Sequence, residues 1–386
     1  KASTSPESSN VKLEDGAWVQ VADSTGRLQQ QYSAERIDPL PDGWLEMARP
    51  RAMIFLEGGK IITLRGEYGL VNVPQQAIQS GTLEGDVVIR IFAPVDDQPV
   101  RIESSEPEVI LRTEKAMFDN SLGEVRCDQA IRVDAEGASF AGIGLSMLLG
   151  EGDRTIERLV VNESTEPIRV QRVITSEATT PSSESDVTSS GTTEQPPARP
   201  SSVSPRFYLL ELESDVRIEQ FASSDATAPE TVVSGDHLSA IFSLDGRGIG
   251  AATTPGGKAP APDGSSAMSR GPLLAGMALG QSADPKPAEP EDADDGTSLV
   301  LIHYTGRLLM LPAPESDLPR AANDVHIDIT ADSGRVKIND VASEAVIGCQ
   351  ALVYRSDDDL VELSGTPGRP LTVASPRLNL EGERFR

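Results

Sequence analysis

The amino-acid sequence predicts an all-β protein whose antiparallel strands form two facing layers. Three observations predict it: short runs in which apolar and polar residues alternate, a strand pattern that recurs along the chain, and the lack of a sustained helical period of apolar residues. Only 144–150 and the N-terminal stretch leave a short helical turn open as an alternative. The alternating runs lie at 86–92, 130–135, 158–163, 215–220, 325–330 and 335–340.

The strand pattern recurs as a unit. Residues 81–91 align without a gap on 123–133, matching a glycine, an aliphatic residue, Asp, Ile, Arg and a second aliphatic residue. A further copy places 352–355 on 116–119, so that Val361 falls on Val125. One such unit cannot bury its apolar face, whereas stacked units form a long antiparallel sheet that folds into two facing layers.

A weaker copy begins at 240–242, and its next strand is found only at 298–302, after a segment rich in Pro, Gly, Ala and Asp. We therefore expect the segment between them to be an expanded hairpin loop, because the entropy of loop closure grows slowly with loop length.

Composition divides the 386-residue chain into two folded parts. Segments 176–205 and about 246–297 are poor in apolar residues and are predicted to be a disordered linker and a disordered insertion. The folded parts are then 43–175 and 206–386, with 1–42 as an N-terminal extension that carries the first strands.

The charge balance excludes several kinds of partner. Lys and Arg number 34 against 60 for Asp and Glu, a net charge of −26, which argues against binding to nucleic acid or to anionic membrane surfaces. No apolar stretch is long enough to span a bilayer as a helix. The chain starts at Lys1 with a polar segment, and we expect an exported, trimmed protein that lacks its N-terminal signal or membrane anchor.

No motif predicts catalysis, a cofactor or a metal. Segment 250–259 lacks the spacing of a phosphate-binding loop, and the aspartates at 292–295 are not followed by the carboxylate that a calcium loop needs. His237, His303 and His326 show no metal-binding spacing. The two cysteines, Cys127 and Cys349, are interpreted as small buried apolar residues, with a disulfide between them as the alternative.

Segments 50–94, 111–163 and 349–386 resemble the LptA/LptC (OstA-like) family of periplasmic lipopolysaccharide-transport proteins. The similarity lies in a strand ending in an aromatic residue and Asp, a turn, and a Gly-x-Val start to the next strand, as at 116–127. The resemblance implies two twisted β-jellyroll domains, LptC-like over 43–175 and LptA-like over 206–386.

The same resemblance implies a non-enzymatic function in the periplasm. The apolar interior of the jellyroll would shelter the acyl chains of lipopolysaccharide or a related lipid, and jellyrolls would join end to end by adding edge strands. Further expected partners are other jellyroll transport proteins and a membrane transporter complex, reached through the missing N-terminal anchor.

The candidate groove residues are the aliphatic positions of the repeat, which every β-sandwich also uses as ordinary core. A gap between the layers would favour lipid binding, and a filled interior would favour the alternative, a structural or adhesive protein that assembles edge to edge without lipid. The candidates are Leu83, Ile89, Ile91, Val125, Ile131 and Val133, with Val361, Leu363, Leu371 and Val373 in the C-terminal copy.

Overall fold

The computed structural model describes most of the chain outside the low-complexity segments. The described residues are 12–13, 17–22, 25–56, 59–74, 78–94, 100–135, 137–150, 156–173, 207–243, 297–320, 324–332, 334–358 and 360–386. The predicted disordered linker at 176–205 lies outside them, as does the predicted insertion at 246–297 except for its last residue.

The described residues form one antiparallel sheet and contain no α-helix, which confirms the predicted all-β, jellyroll-like class. Segment 144–150, open to a helical turn in the sequence, belongs to a strand up to Leu149. Short 3-10 turns occur at Pro41–Gly43, Glu315–Asp317 and Ser356–Asp358.

The N-terminal strands are β1 (Lys12–Leu13), β2 (Ala17–Ala22), β3 (Leu28–Ala34), β4 (Arg36–Pro39), β5 (Trp44–Ala48), β6 (Arg51–Phe55), β7 (Ile61–Arg65), β8 (Tyr68–Asn72), β9 (Ser80–Phe92), β10 (Val109–Asp119), β11 (Glu124–Ala135), β12 (Ala138–Leu149) and β13 (Ile156–Val173).

The C-terminal strands are β14 (Phe207–Phe221), β15 (Thr231–Ser243), β16 (Thr297–His303), β17 (Leu308–Pro312), β18 (His326–Thr330), β19 (Val336–Asp340), β20 (Ala345–Cys349), β21 (Ala351–Arg355), β22 (Leu360–Ser364), β23 (Leu371–Ser375), β24 (Leu378–Gly382) and β25 (Arg384–Phe385).

The long strands β9 to β15 each cross from one layer to the other. The first half of β9 pairs with β8 and its second half with β7, so the sheet divides there into two layers. We call layer 1 the layer that contains β4, β5, β8, β17, β18, β21, β22 and β25. Layer 2 contains β1, β2, β3, β6, β7, β16, β19, β20, β23 and β24.

A bulge bends the long strands β9, β11, β13 and β14 where each changes layer. In β9 the bulged residues are Gly85 and Asp86, whose φ angles of 76° and 42° lie in the left-handed region. The register of β11 shifts after Cys127, next to Asp128, the residue that the repeat aligns with Asp86. The carbonyl of Ala130 in this bulge accepts a hydrogen bond of 3.0 Å from the Thr113 hydroxyl. The recurrent motif therefore marks the bend of the strand as well as the strand itself.

Beside the bends, layer 1 buries one continuous row of side chains that we call the spine row. Its members lie directly opposite one another on successive strands, and each is at most 4% exposed. In strand order they are Cys127, Leu145, Val161, Leu308, Leu212, Leu238, Ile329, Leu352 and Leu363.

The expected hairpin between 240–242 and 298–302 is not formed. β16 pairs with β13 and β14, while β15 pairs with β14, β18 and β19, so β14 lies between β15 and β16. A connection as long as the one between β15 and β16 does not restrict the next strand to a neighbouring position. β16 and β17 instead join the N-terminal and C-terminal strands into one sheet.

The spine row predicts where the protein is most sensitive to truncation. Leu212 is 1% exposed, so Leu212→Ala should lower the free energy of unfolding by ~2–5 kcal/mol through lost burial and a residual cavity. Leu122→Ala removes the same atoms from a side chain that is 62% exposed and should change stability by less than ~0.5 kcal/mol. Urea unfolding of both variants tests this, and equal losses would contradict the assignment of the spine row.

Candidate functional site

A cavity of about 560 Å³ lies between the two layers of the N-terminal half. It extends from β3 to β13, and its lining is mostly aliphatic and aromatic. Residues of both layers line the cavity, because each long strand has one half in layer 1 and the other half in layer 2. The cavity is thus a space between sheet faces.

On layer 2, one row of side chains across neighbouring strands forms the cavity wall. The row starts at Tyr32 on β3 and continues through directly opposed positions to Val133 and Phe140 on β11 and β12. Its members are Tyr32, Ala52, Leu64, Ile89, Leu111, Val133 and Phe140.

On layer 1, the facing wall is a second row that starts at Val71 and ends at Leu159. Gly81 lies between Val71 and Phe118, where an added Cβ would come within 2.8 Å of both side chains. Glycine at this position therefore lets Phe118 pack into the wall. The lining members of the row are Val71, Phe118, Val125, Met147 and Leu159.

Apart from Arg51 on β6, the polar side chains of the lining lie in two places. On β3, the Tyr32 hydroxyl donates a hydrogen bond to the side-chain carbonyl of Gln30. At the turn between β10 and β11, the Asp119 carboxylate accepts bonds from the backbone N–H groups of Ser121 and Leu122 at 2.9 and 3.2 Å and from the Ser121 hydroxyl. The Ser121 hydroxyl bond is the main cause of the lowered pKa of Asp119.

This turn forms part of the cavity rim. Residues 119–124 all line the cavity, and among them Leu122 is largely exposed to solvent. The hydrogen-bonded turn thus places an exposed apolar side chain beside the apolar cavity.

The structure separates the ten candidate groove residues into two sets. Five of the six N-terminal candidates line the cavity: Leu83, Ile89, Ile91, Val125 and Val133. The sixth, Ile131, is buried in the main core beside the bends.

The four C-terminal candidates do not border a comparable space. Leu363, Leu371 and Val373 are buried in the main core, and Val361 packs against it. Between the layers of this half, the described cavity is only about 20 Å³, bordered by residues such as Ile218, Ile327 and Leu352. Lipid contact for the N-terminal candidates stays a prediction, and the C-terminal four lie in packed core.

The repeat alignment missed several cavity residues. Tyr32, Phe118, Phe140, Met147 and Leu159 lie on the same sheet faces as the predicted candidates. Phe140 and Met147 both line the cavity, but they lie on opposite phases of β12, so alternation counted along the whole strand finds only one of them. The phase changes between them, where Gly144 has a φ angle of 76° and lies opposite the bulge of β11.

Each histidine lies within hydrogen-bond distance of a carboxylate. The distances are 2.7 Å from His237 to Asp332, 3.3 Å from His303 to Glu219 and 3.1 Å from His326 to Asp357. Within the described ranges, no group of three or more His, Cys, Asp or Glu side chains is arranged to hold a metal ion.

Cys127 and Cys349 are free, buried thiols, so the interpretation as small buried residues is confirmed and no disulfide joins them. Burial raises the pKa of Cys127 to about 11, with a smaller contribution from the negative charge of Asp128. Burial likewise raises the pKa of Cys349 to about 12, against a weaker opposing effect of Arg335.

These pKa values predict how stability depends on pH. In the unfolded chain both thiols ionise near the ordinary pKa of 9.0, whereas the folded protein keeps their protons to about 11 and about 12. The free energy of unfolding should therefore fall as pH rises above 9, by up to ~1.4 kcal/mol per pH unit for each thiol. Urea unfolding between pH 8 and 10.5 measures this slope, and the double variant Cys127→Ala/Cys349→Ala should lose that contribution.

Comparison with known proteins gives one family. Residues 14–158 match the family described as "LptC: Lipopolysaccharide-assembly, LptC-related", which confirms the predicted resemblance over that segment. The matched segment contains strands β2 to β12 and the start of β13, and thus nearly all of the cavity lining. No curated protein matches the chain. Among the described residues, no helix has the length and apolar character to cross a membrane.

Proposed function

We propose that this chain, which is LptC-related over residues 14–158, takes part in lipopolysaccharide transport by sheltering lipid acyl chains between its layers. The cavity of about 560 Å³ carries this proposal, because it lies within the family-matched segment and has an apolar lining. On this proposal the protein acts in the periplasm as a non-enzymatic carrier of lipopolysaccharide or a related lipid.

The energetics support acyl chains as cargo. Each methylene transferred from water into an apolar site contributes about 0.8 kcal/mol, and a volume of about 560 Å³ is in the usual range for ligand sites. An empty apolar cavity of this size costs stability, since its walls lack packing partners. In the C-terminal half, the inward-facing residues of the same sheet pack into the main core.

The combination of apolar walls and a polar turn at the rim also suits binding of an amphiphile. The apolar walls can enclose hydrocarbon, while the polar turn at 119–124 borders the cavity at the protein surface. A sugar and phosphate head group would stay in water at this rim, where its hydration is kept.

A matched pair of charge substitutions tests lipid binding. Ile91 and Val361 are both half-buried strand residues with inward-facing side chains, but only Ile91 lines the cavity. Ile91→Asp should weaken binding of a fluorescent acyl probe at least tenfold, because a carboxylate would enter the hydrocarbon site. Val361→Asp should leave the affinity of a folded protein near that of the wild type.

Probe displacement by purified lipopolysaccharide gives the affinities, and thermal unfolding identifies variants that have lost their fold. Absence of saturable probe binding by the wild-type protein would overturn the proposal. Equal loss of affinity in both folded variants would show that binding does not use the cavity.

The C-terminal end of the sheet has the properties of a docking edge. Leu380 on β24 lies opposite buried Val373, and Phe385 on β25 continues the spine row opposite Leu363. Yet Leu380 is 48% exposed and Phe385 is 44% exposed. In the described part of the chain, β24 pairs only with β23 and β25 only with β22, so each has an open edge.

We infer that another jellyroll transport protein adds a strand at this end, which would bridge lipid transport across the periplasm. A membrane transporter complex at the N-terminal side is the further partner that the family resemblance suggests. The exposed end also supports the second candidate function, edge-to-edge assembly without lipid cargo, which predicts association in a protein that fails the acyl-probe test.

Leu380→Lys tests the docking edge, with a second copy of the chain as the partner. The wild type should associate in a concentration-dependent manner in sedimentation velocity, and a lysine at the apolar edge should abolish this association. Leu122→Lys introduces the same charge at the cavity rim and should leave association unchanged. A wild type that is monomeric at all concentrations, or association that persists in Leu380→Lys, would contradict docking of a second copy through β24.

A further inference from the structure

The cavity ends at the junction between β13 and β17. Ile156 and Leu159 on β13 are its last lining residues along the chain. Leu159 lies directly opposite Met310 on β17, and Met310 lies opposite Leu210 on β14. The inward-facing row of layer 1 therefore continues past Leu159, but the cavity does not follow it.

Three large buried side chains occupy the place where the cavity stops, and we call them the wall cluster: Tyr208, Phe242 and Met310. Tyr208 and Phe242 are opposed on β14 and β15, and all three are less than 9% exposed. The cluster packs against Ile156 and Leu159, so one side of these two residues faces the cavity and another faces the cluster.

Beyond the wall cluster, the inward-facing residues of both layers pack into the main core. The described cavity between Ile218 and Val233 of layer 2 and Ile327 and Leu352 of layer 1 measures about 20 Å³, against about 560 Å³ before the cluster. A space of about 20 Å³ holds at most one or two waters and no hydrocarbon chain.

We propose that the wall cluster, and Met310 in particular, limits the cavity to the N-terminal half and thereby sets the longest acyl chain that the protein can enclose. This inference rests on the proposed function and specifies the substrate class by hydrocarbon length. The C-terminal half then contributes docking and stability and encloses no cargo.

Met310 is the member of the cluster that truncation should affect most directly. It is the next residue after Leu159 in the same row, and its other neighbours in that row are Leu210 and then Ala240. Removing its flexible side chain would extend the free space from Leu159 toward the small Ala240 without changing the lining of the existing cavity.

A chain-length series tests the inference on the full chain. Saturated straight-chain fatty acids of increasing length would displace a fluorescent acyl probe from the wild type, from Met310→Ala and from Leu238→Ala. In the wild type, affinity should rise about fourfold per methylene up to a limiting length and then stay constant. Met310→Ala should move that limit to longer chains.

Leu238→Ala is the matched control, because Leu238 is buried in the spine row of the same half and does not belong to the wall cluster. It should keep the limiting length of the wild type. If Met310→Ala fails to fold, Met310→Val provides a smaller truncation that should move the limit in the same direction.

The outcomes separate the two proposals. If the wild type binds fatty acids and its limiting length is unchanged in folded Met310 variants, the wall cluster does not set the chain length, although acyl binding stands. If Leu238→Ala moves the limit equally, the effect is a general loosening of the core and the inference fails. If the wild type binds no fatty acid of any length, both proposals fall.

Discussion

The fold depends on strands that cross between two layers and bury one side chain beside each crossing. Residues of the spine row lie on successive strands from β11 to β22 and are almost completely excluded from water. Bulges interrupt regular pairing at the crossings of β9, β11, β13 and β14, and in β11 the Thr113 hydroxyl donates a hydrogen bond to the carbonyl of Ala130. The burial beside the bends provides the apolar free energy that keeps the two layers joined along one side.

The two layers are joined along one side, at the bends. On the other side, the inward-facing residues determine how far apart the layers lie. In the N-terminal half, the facing rows from Tyr32 and from Val71 leave a large space between them. In the C-terminal half, rows with the same strand pairing close on each other, and the wall cluster marks the change. A single sheet thus combines an open and a packed segment.

Much of this architecture could be predicted from the sequence because strand alternation and repeat register are local properties. The repeat aligned Val361 on Val125, and the structure places Phe118 opposite Val125 and Tyr354 opposite Val361. It also aligned Asp86 with Asp128, which both lie at bends. The neighbour of β16 could not be predicted, because nothing local in a long connection determines which strand comes next.

Only some of the cavity-lining residues could be predicted from the sequence, because the space around a residue depends on strands that are distant in sequence. Val125 and Val361 are equivalent in the repeat and in strand register, yet Val125 borders the cavity and Val361 packs against core. Whether an inward-facing residue meets another side chain or empty space depends on the opposite layer, which is distant in sequence. The residue pattern of one strand contains no information on the separation between the two layers.

On the proposed function, the position of the packed half limits how lipid could pass between neighbouring jellyrolls. The apolar end at Leu380 and Phe385 and the cavity lie on opposite sides of a segment whose inward-facing residues pack into the main core. On the proposed function, this packed segment separates an enclosed acyl chain from the proposed docking edge. On the proposed docking, a neighbouring jellyroll would contact the packed half at β24 and β25, which pair with β23 and β22. Movement of an acyl chain past this half would then require either separation of the layers at the wall cluster, which costs the burial of Tyr208, Phe242 and Met310, or transfer along the outside of the sheet.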